Sequence, residues 1–222
     1  MIDPKKIAGE KAAEYVKSGM KVGLGTGSTA SFMIHRLGQM VKEGLDIKCF
    51  PTSRESEELA RSLQIPLLKE NEVTRLDITI DGADEFDPAK NLIKGGGGAL
   101  LREKMVAIIT DHYVVVADES KQVEQLGAFT VPVEVVPFAW QLTARHIQDL
   151  DAETSIRESD KGFYRTDNNN YVLDSDFGAI LDAAELERVL NQIPGVVANG
   201  LFVQIADEII CAGADGEVRV FT

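Results

Sequence analysis

The sequence predicts an α/β protein, with a doubly wound domain of parallel strands and helices and a smaller α+β domain inserted before the C-terminal strands. Three observations predict it. Apolar strand-like runs alternate with helical ones from the N-terminus to residue 117, the pattern of βαβ units. The run Tyr113-Val114-Val115-Val116-Ala117 is continuously apolar, as expected of a strand covered on both faces of a parallel sheet. After Gly127 the texture changes to a strand-helix-strand-strand-helix order, which suggests a ferredoxin-like unit. The boundaries fall at 1–129 with 200–222 for the Rossmann-like domain, and at 130–199 for the small one.

Asp3 followed by Pro4 starts the first helix, with Asp as N-cap and Pro at the first helical position. A strand at 21–24 enters a glycine loop, Gly25-Thr26-Gly27-Ser28-Thr29, and a helix follows with Met33, Ile34, Leu37, Met40 and Val41 on one side. Leu45 to Phe50 reads as a strand. Thr52-Ser53-Arg54-Glu55 has capping-box spacing and opens a helix. Ile65–Leu68 and Leu76–Ile80 read as further strands, and a helix through Met105 and Ile109 precedes the strand at 113–117. In the small domain, a strand at 131–136 leads to a helix over 138–150 and a strand at 154–157. A hairpin then joins 163–165 to 171–173 through the turn signal Asp167-Asn168-Asn169-Asn170. A helix over 182–192 and strands at 209–212 and 218–221 close the chain.

Composition narrows the function. A formal net charge of −13 over 222 residues speaks against a nucleic-acid partner, because phosphate-backbone binding needs a basic surface. No apolar run approaches the ~20 residues of a membrane span. The polar start MIDPKKIAGEK lacks the apolar core of a signal peptide. Cys49 and Cys211 each sit in an apolar run, which fits buried free thiols better than a disulfide. An anionic ligand would have to be held by backbone N–H groups and a few lysines against the overall field.

The chain is organised around Leu76 to Lys104. A strand runs into Asp81-Gly82-Ala83-Asp84-Glu85. Lys94 leads into four consecutive glycines, Gly95 to Gly98, and a helix carries Arg102, Glu103 and Lys104. Four ordered glycines are costly as a plain connector, because glycine loses the most backbone entropy on folding. Close approach of a ligand to Gly95, Gly96 and Gly97 accounts for them better. Asp81 and Asp84 beside a lysine suit recognition of sugar hydroxyls and proton shuttling. A metal centre is disfavoured, since His35, His112 and His146 are scattered and no calcium-loop spacing occurs. Glu103, just past the glycines, is a candidate general base. The Gly25–Thr29 loop, between a strand and a helix, leaves N–H groups free for a phosphate, with the Ser28 and Thr29 hydroxyls beside them. It is neither a dinucleotide fingerprint nor a P-loop.

Taken together, GLGTGSTA at 23–30, DGADE at 81–85, KGGGGALLREK at 94–104 and SKQVEQLGAF at 120–129 resemble the ribose-5-phosphate isomerase A family. VPVEVVP at 131–137 and IPGVVANGLF at 193–202 fit as well. Leu101 departs from the pattern, where the family's helix would carry threonine. The resemblance implies interconversion of D-ribose 5-phosphate and D-ribulose 5-phosphate without metal or organic cofactor, in the non-oxidative pentose phosphate pathway. It implies a cytoplasmic homodimer or homotetramer. By the same resemblance Glu103 is the base that moves a proton between C2 and C1, and Asp81, Asp84 and Lys94 line the site with Gly82 and Ala83. Thr26, Gly27, Ser28, Thr29 and Lys121 take the sugar phosphate, with Lys5 near the phosphate.

Overall fold

A computed structural model describes residues 2–222. In chain order the elements run α1 (Pro4–Ala13), β1 (Lys21–Leu24), α2 (Ser28–Lys42), β2 (Lys48–Pro51), α3 (Arg54–Ser62), β3 (Ile78–Gly82), β4 (Glu85–Phe86) and β5 (Leu92–Ile93). They continue with α4 (Leu100–Ala107), β6 (Tyr113–Asp118), β7 (Val131–Val135), α5 (Trp140–Gln148), β8 (Glu153–Ile156), β9 (Glu158–Ser159), β10 (Gly162–Phe163) and β11 (Tyr171–Asp176). The last are α6 (Ala183–Leu190), β12 (Val196–Asn199), β13 (Leu201–Phe202), β14 (Glu208–Ala212) and β15 (Val218–Phe221). The chain forms two compact units: residues 1–83, 102–122 and 205–222 in the first, and 84–101 and 123–204 in the second.

The first unit holds a six-stranded sheet in the order β15-β14-β6-β3-β1-β2. Strands β2, β1, β3, β6 and β14 are parallel, and β15 is an antiparallel edge. This is the doubly wound order whose connections diverge between β1 and β3, the switch point at which such sheets take ligands. Alternation sorts the strand residues. Val22, Leu24, Ile78, Ile80, Val114, Val116 and Ile210 bury together with Ala8 and Ala12 of α1 and Met33 and Leu37 of α2. Thr79, Asp81, Tyr113 and Val115 point to the opposite face, because successive strand side chains alternate. The Asp3 carboxylate caps α1 by accepting from the Lys5 and Lys6 N–H groups.

The second unit holds a four-stranded antiparallel sheet, β12-β7-β11-β8, covered by α5 and α6 in the βαββαβ arrangement of ferredoxin-like units. Val131, Val133, Ile147, Leu173 and Leu190 are among its core residues. A small sheet, β13-β5-β4, also belongs here. Its pairings group segment 84–101 with the second unit, whereas the sequence boundaries place that segment with the larger domain.

Four local expectations are corrected. Ile65–Leu68 makes a single bridge, Cys49 to Leu67, rather than a strand; Pro66 supplies no N–H and confines the segment to an edge. The N-cap of α3 is Ser53, whose hydroxyl accepts from the Ser56 N–H, while the Thr52 hydroxyl donates to the Leu24 carbonyl. β11 pairs with β7 and with β8, Leu173 lying opposite Ile156 of β8. Phe163 pairs instead with Glu158 in its own short hairpin, because burying Leu173 against Ile156 fixes the register. Finally, Asp81 lies inside β3, opposite Val115, rather than beyond the strand's end. Both cysteines are buried free thiols, and burial pushes Cys49 up to about 12.

Candidate active site

In the first unit the geometry centres on Asp81, which is fully buried. Its Oδ1 accepts the Thr26 N–H at 2.9 Å and the Gly82 N–H at 2.8 Å, and its Oδ2 accepts the Tyr113 hydroxyl at 2.9 Å. The register explains the last bond. Tyr113 stands opposite Thr79, on the same face as Asp81 two residues further on, so a phenol is long enough to reach the carboxylate. A Cβ on Gly23 would meet Thr79 Oγ1 at 2.0 Å, and one on Gly25 would meet the Asp81 Cα at 2.3 Å. These two glycines therefore make room for β3. Only Gly27 uses glycine's conformational freedom, at φ +101°.

Gly27 delivers the chain to Ser28 at the start of α2, which has no side-chain cap. Its first-turn N–H groups lie at the positive end of a fifteen-residue helix with no side chain capping them. The Lys5 Nζ donates to the Ser28 hydroxyl at 3.1 Å. Gly9 permits that approach, because a Cβ there would meet the Thr29 carbonyl at 2.7 Å. Lys121 follows β6 in a 3-10 turn over Glu119–Lys121, at the same carboxyl edge of the parallel sheet. Thr26 faces inward: its hydroxyl donates to Ser53 Oγ at 2.8 Å and lies 2.7 Å from Thr52 Oγ1. Glu103 stands in the first turn of α4, 4% exposed. Burial pushes the Tyr113 phenol well above the usual tyrosine range, the Asp81 and Glu103 carboxylates push it further, and so does its bond to Asp81. The phenol is thus a fixed donor.

The second unit carries the other predicted residues. The Asp84 N–H donates to the Ile93 carbonyl at 2.8 Å, and Asp84 Oδ2 accepts the Gly96 N–H at 2.7 Å. Lys94 is 2% exposed, with Nζ 5.4 Å from the Phe202 ring centroid, an attractive cation–π arrangement. Gly95 and Gly98 take φ of +104° and +75°, which only glycine adopts readily. Arg157 Nη1 donates to the Gly95 and Gly96 carbonyls, and the Tyr164 hydroxyl to that of Gly97. Glu85, the last acid of the DGADE run, accepts the Gly127 and Phe129 N–H groups and so holds the 123–129 segment. Among the described residues no group of three or more His, Cys, Asp or Glu side chains is placed to hold a metal ion.

The structure therefore brings Asp81, Thr26, Gly82 and Tyr113 together in one unit, and Asp84, Gly95, Gly96 and Gly97 in the other. Sequence reasoning missed Tyr113, whose one signal was a hydroxyl at the head of an apolar strand; a buried tyrosine O–H needs a partner. Arg157 and Tyr164 gave no signal, since their carbonyl partners lie 61 to 67 positions away.

A parallel sheet with a held carboxylate and an uncapped helix N-terminus at its switch point defines a class: α/β proteins that take small anionic ligands at the strand ends. Comparisons with known proteins narrow the class. Residues 48–216 match the family model described as ribose 5-phosphate isomerase A (phosphoriboisomerase A). The chain is 49% identical to a ribose-5-phosphate isomerase A of Listeria monocytogenes, over 99% of both chains. It is 48% identical to one of a Ruegeria species, over 97% of this chain and 86% of that one. Among solved structures, the ribose 5-phosphate isomerase A of Methanocaldococcus jannaschii superposes with a TM-score of 0.93 at 42% identity, covering 98% and 97% of the two chains. A D-ribose-5-phosphate isomerase in complex with phospho-erythronic acid gives 0.94 at 39%, covering 97% and 96%. The chain belongs to the ribose-5-phosphate isomerase A family.

Replacing Tyr113 by Phe removes one donor from a buried carboxylate and should lower unfolding stability by about 1.5–3 kcal/mol, read by denaturant titration at neutral pH. A phenol raised in the fold stabilises fully below its ordinary value of about 10, and that contribution is lost as pH rises from there through the folded-state value. The wild type should therefore lose stability above pH 10 more steeply than Tyr113→Phe. Parallel curves for the two proteins would contradict the bond.

Proposed function

We propose that this chain interconverts D-ribose 5-phosphate and D-ribulose 5-phosphate through an enediolate, with Glu103 as the general base. The observation that carries the reading is the pair of buried carboxylates, Asp81 and Glu103, both acting on the Tyr113 phenol in the first unit. Aldose–ketose isomerisation removes a proton from the carbon next to a carbonyl and returns it to the neighbouring carbon. One positioned carboxylate can do both. Glu103 takes the C2 proton of the aldose and delivers it to C1. Asp81 relays the hydroxyl proton between O1 and O2.

The enediolate's charge needs donors already in place. Lys94 and the N–H groups of the Gly95–Gly97 loop supply them, while Asp84, Gly82 and Ala83 line the sugar. The phosphate is taken by the α2 N-terminus at Gly27, Ser28 and Thr29, with Lys5 and Lys121. Support comes from the Lys5–Ser28 bond and the missing cap. Thr26 acts from behind, holding the loop on Asp81. These acid–base groups and fixed donors suffice without a metal or organic cofactor. The relative solved with phospho-erythronic acid supports the same chemistry, since that ligand's carboxylate presents charge where an enediolate would.

Ribulose 5-phosphate formation by EDTA-treated protein tests this. The wild type should turn over, and Glu103→Gln should lose about 10²–10⁴-fold in kcat. A variant near wild-type turnover would remove Glu103 as the base, and an inert wild type would remove the reaction.

The reading includes a cytoplasmic homodimer or homotetramer joined through the 130–199 region. Phe138 and Leu181 there are 88% and 92% exposed, and a second chain covering them would take that apolar area out of water. No described helix is long and apolar enough to cross a membrane. Sedimentation at micromolar concentration should give a multiple of 24.2 kDa; a persistent single-chain mass would contradict the assembly.

A further inference from the structure

The glycine loop of the second unit is anchored through its carbonyls. Arg157 Nη1 donates to the Gly95 carbonyl at 2.9 Å and to the Gly96 carbonyl at 3.0 Å, and the Tyr164 hydroxyl donates to the Gly97 carbonyl at 3.0 Å. Asp174 fixes the guanidinium from behind, accepting from Nε at 2.9 Å and Nη2 at 2.5 Å. The guanidinium carbon lies 5.7 Å from the Tyr164 ring centroid, so the two side chains brace each other. Arg157 and Asp174 are only 15% and 23% exposed. This ion pair is therefore screened less than one on the open surface.

In a trans peptide the carbonyl and the following N–H point in opposite directions, and the described bonds are all trans. Fixing three successive carbonyls therefore fixes three N–H groups. The Gly96 N–H goes to Asp84 Oδ2 and the Gly98 N–H to the Gly95 carbonyl. The Gly97 N–H, on an exposed residue, is held facing away from Arg157. A cation bonded to the carbonyl of the same peptide also polarises it, which strengthens the N–H as a donor.

We infer that Arg157 and Tyr164 are positioning residues that aim the Gly97 N–H at the enediolate oxygen, with Asp174 orienting Arg157. The inference rests on the isomerase reading above. It gives β11 and the segments flanking the β9–β10 hairpin a part in the chemistry, with Arg157, Tyr164 and Asp174 acting through the loop and not on substrate. It also explains why the loop tolerates four glycines without becoming slack: its freedom is removed by side chains from β11 and the segments flanking the β9–β10 hairpin.

Tyr164→Phe and Arg157→Lys test it, the second keeping the charge while losing the two-carbonyl fork. Each should lower kcat for ribose 5-phosphate by roughly 10–100-fold, with KM changed less than about 3-fold, because a donor aimed at the transition state is disturbed. Affinity for phospho-erythronic acid should fall with kcat/KM, while inhibition by inorganic phosphate stays constant. A merely structural role would not separate these two ligands. Folded variants with unchanged kcat, or with the loss confined to KM, would overturn the inference and leave the isomerase reading standing. An inert wild type would remove both. Tyr164→Phe deletes a single oxygen, so it decides the case by itself if Arg157→Lys is poorly folded.

Discussion

The first unit depends on one buried charge. Asp81 sits at 0% exposure inside a parallel strand, where an uncompensated carboxylate would be prohibitive. Its Thr26, Gly82 and Tyr113 donors make it tolerable, and supplying them dictates much else. The turn after β1 must come close enough for Thr26 to reach across, hence Gly25. The strand on the other side must begin with a residue long enough to arrive from two positions back, hence Tyr113. Once Thr26 is tied down, Gly27 and the start of α2 have a fixed direction. The direction of the α2 N-terminus is a consequence of where the carboxylate is anchored.

Gly23 of β1 and the six glycines of the two loops do different work. Gly23 and Gly25 are spaces for neighbouring side chains, and Gly96 has a similar part, since a Cβ there would meet Asp84 Oδ1 at 2.6 Å. Gly27, Gly95 and Gly98 supply backbone angles. Gly97 is left as the exposed amide. A catalytic loop made of glycine would lose much of its value to disorder, because stabilising a developing charge requires donors that do not reorganise. The answer in both units is the same: side chains from distant parts of the sequence hold the loop backbone, Asp81 in one and Arg157 with Tyr164 in the other.

The architecture was legible because its signals are local. Alternating strand and helix patterns placed β1, α2, β3 and β6, the cap at Asp3 marked the first helix start, and glycine clusters marked both loops. Lys5, one of three lysines in the first helix, could be placed near the phosphate only by resemblance, since its contact with Ser28 depends on helix packing through Gly9. The misread parts were those that tertiary pairing decides. Thr52 and Ser53 are both good caps, and the Leu24 carbonyl claimed Thr52. The turn at 167–170 suggested a hairpin with 163–165, yet burial of Leu173 on Ile156 chose β8. The sequence boundaries placed segment 84–101 with the larger domain, whereas its β5 pairs with β13. Tyr113, Arg157 and Tyr164 act through partners 32 to 67 positions away, beyond any local pattern.

The claim that the Asp81 carboxylate holds the Thr26–Thr29 loop is tested most directly by amide hydrogen exchange at Thr26 and Gly82, compared between the wild type and Asp81→Ala, which removes the shared acceptor. Both amides should be strongly protected in the wild type and exchange much faster in the variant, with the core amides of β6 unaffected. Equal protection of Thr26 and Gly82 in the two proteins would mean that the loop is held by something other than this carboxylate.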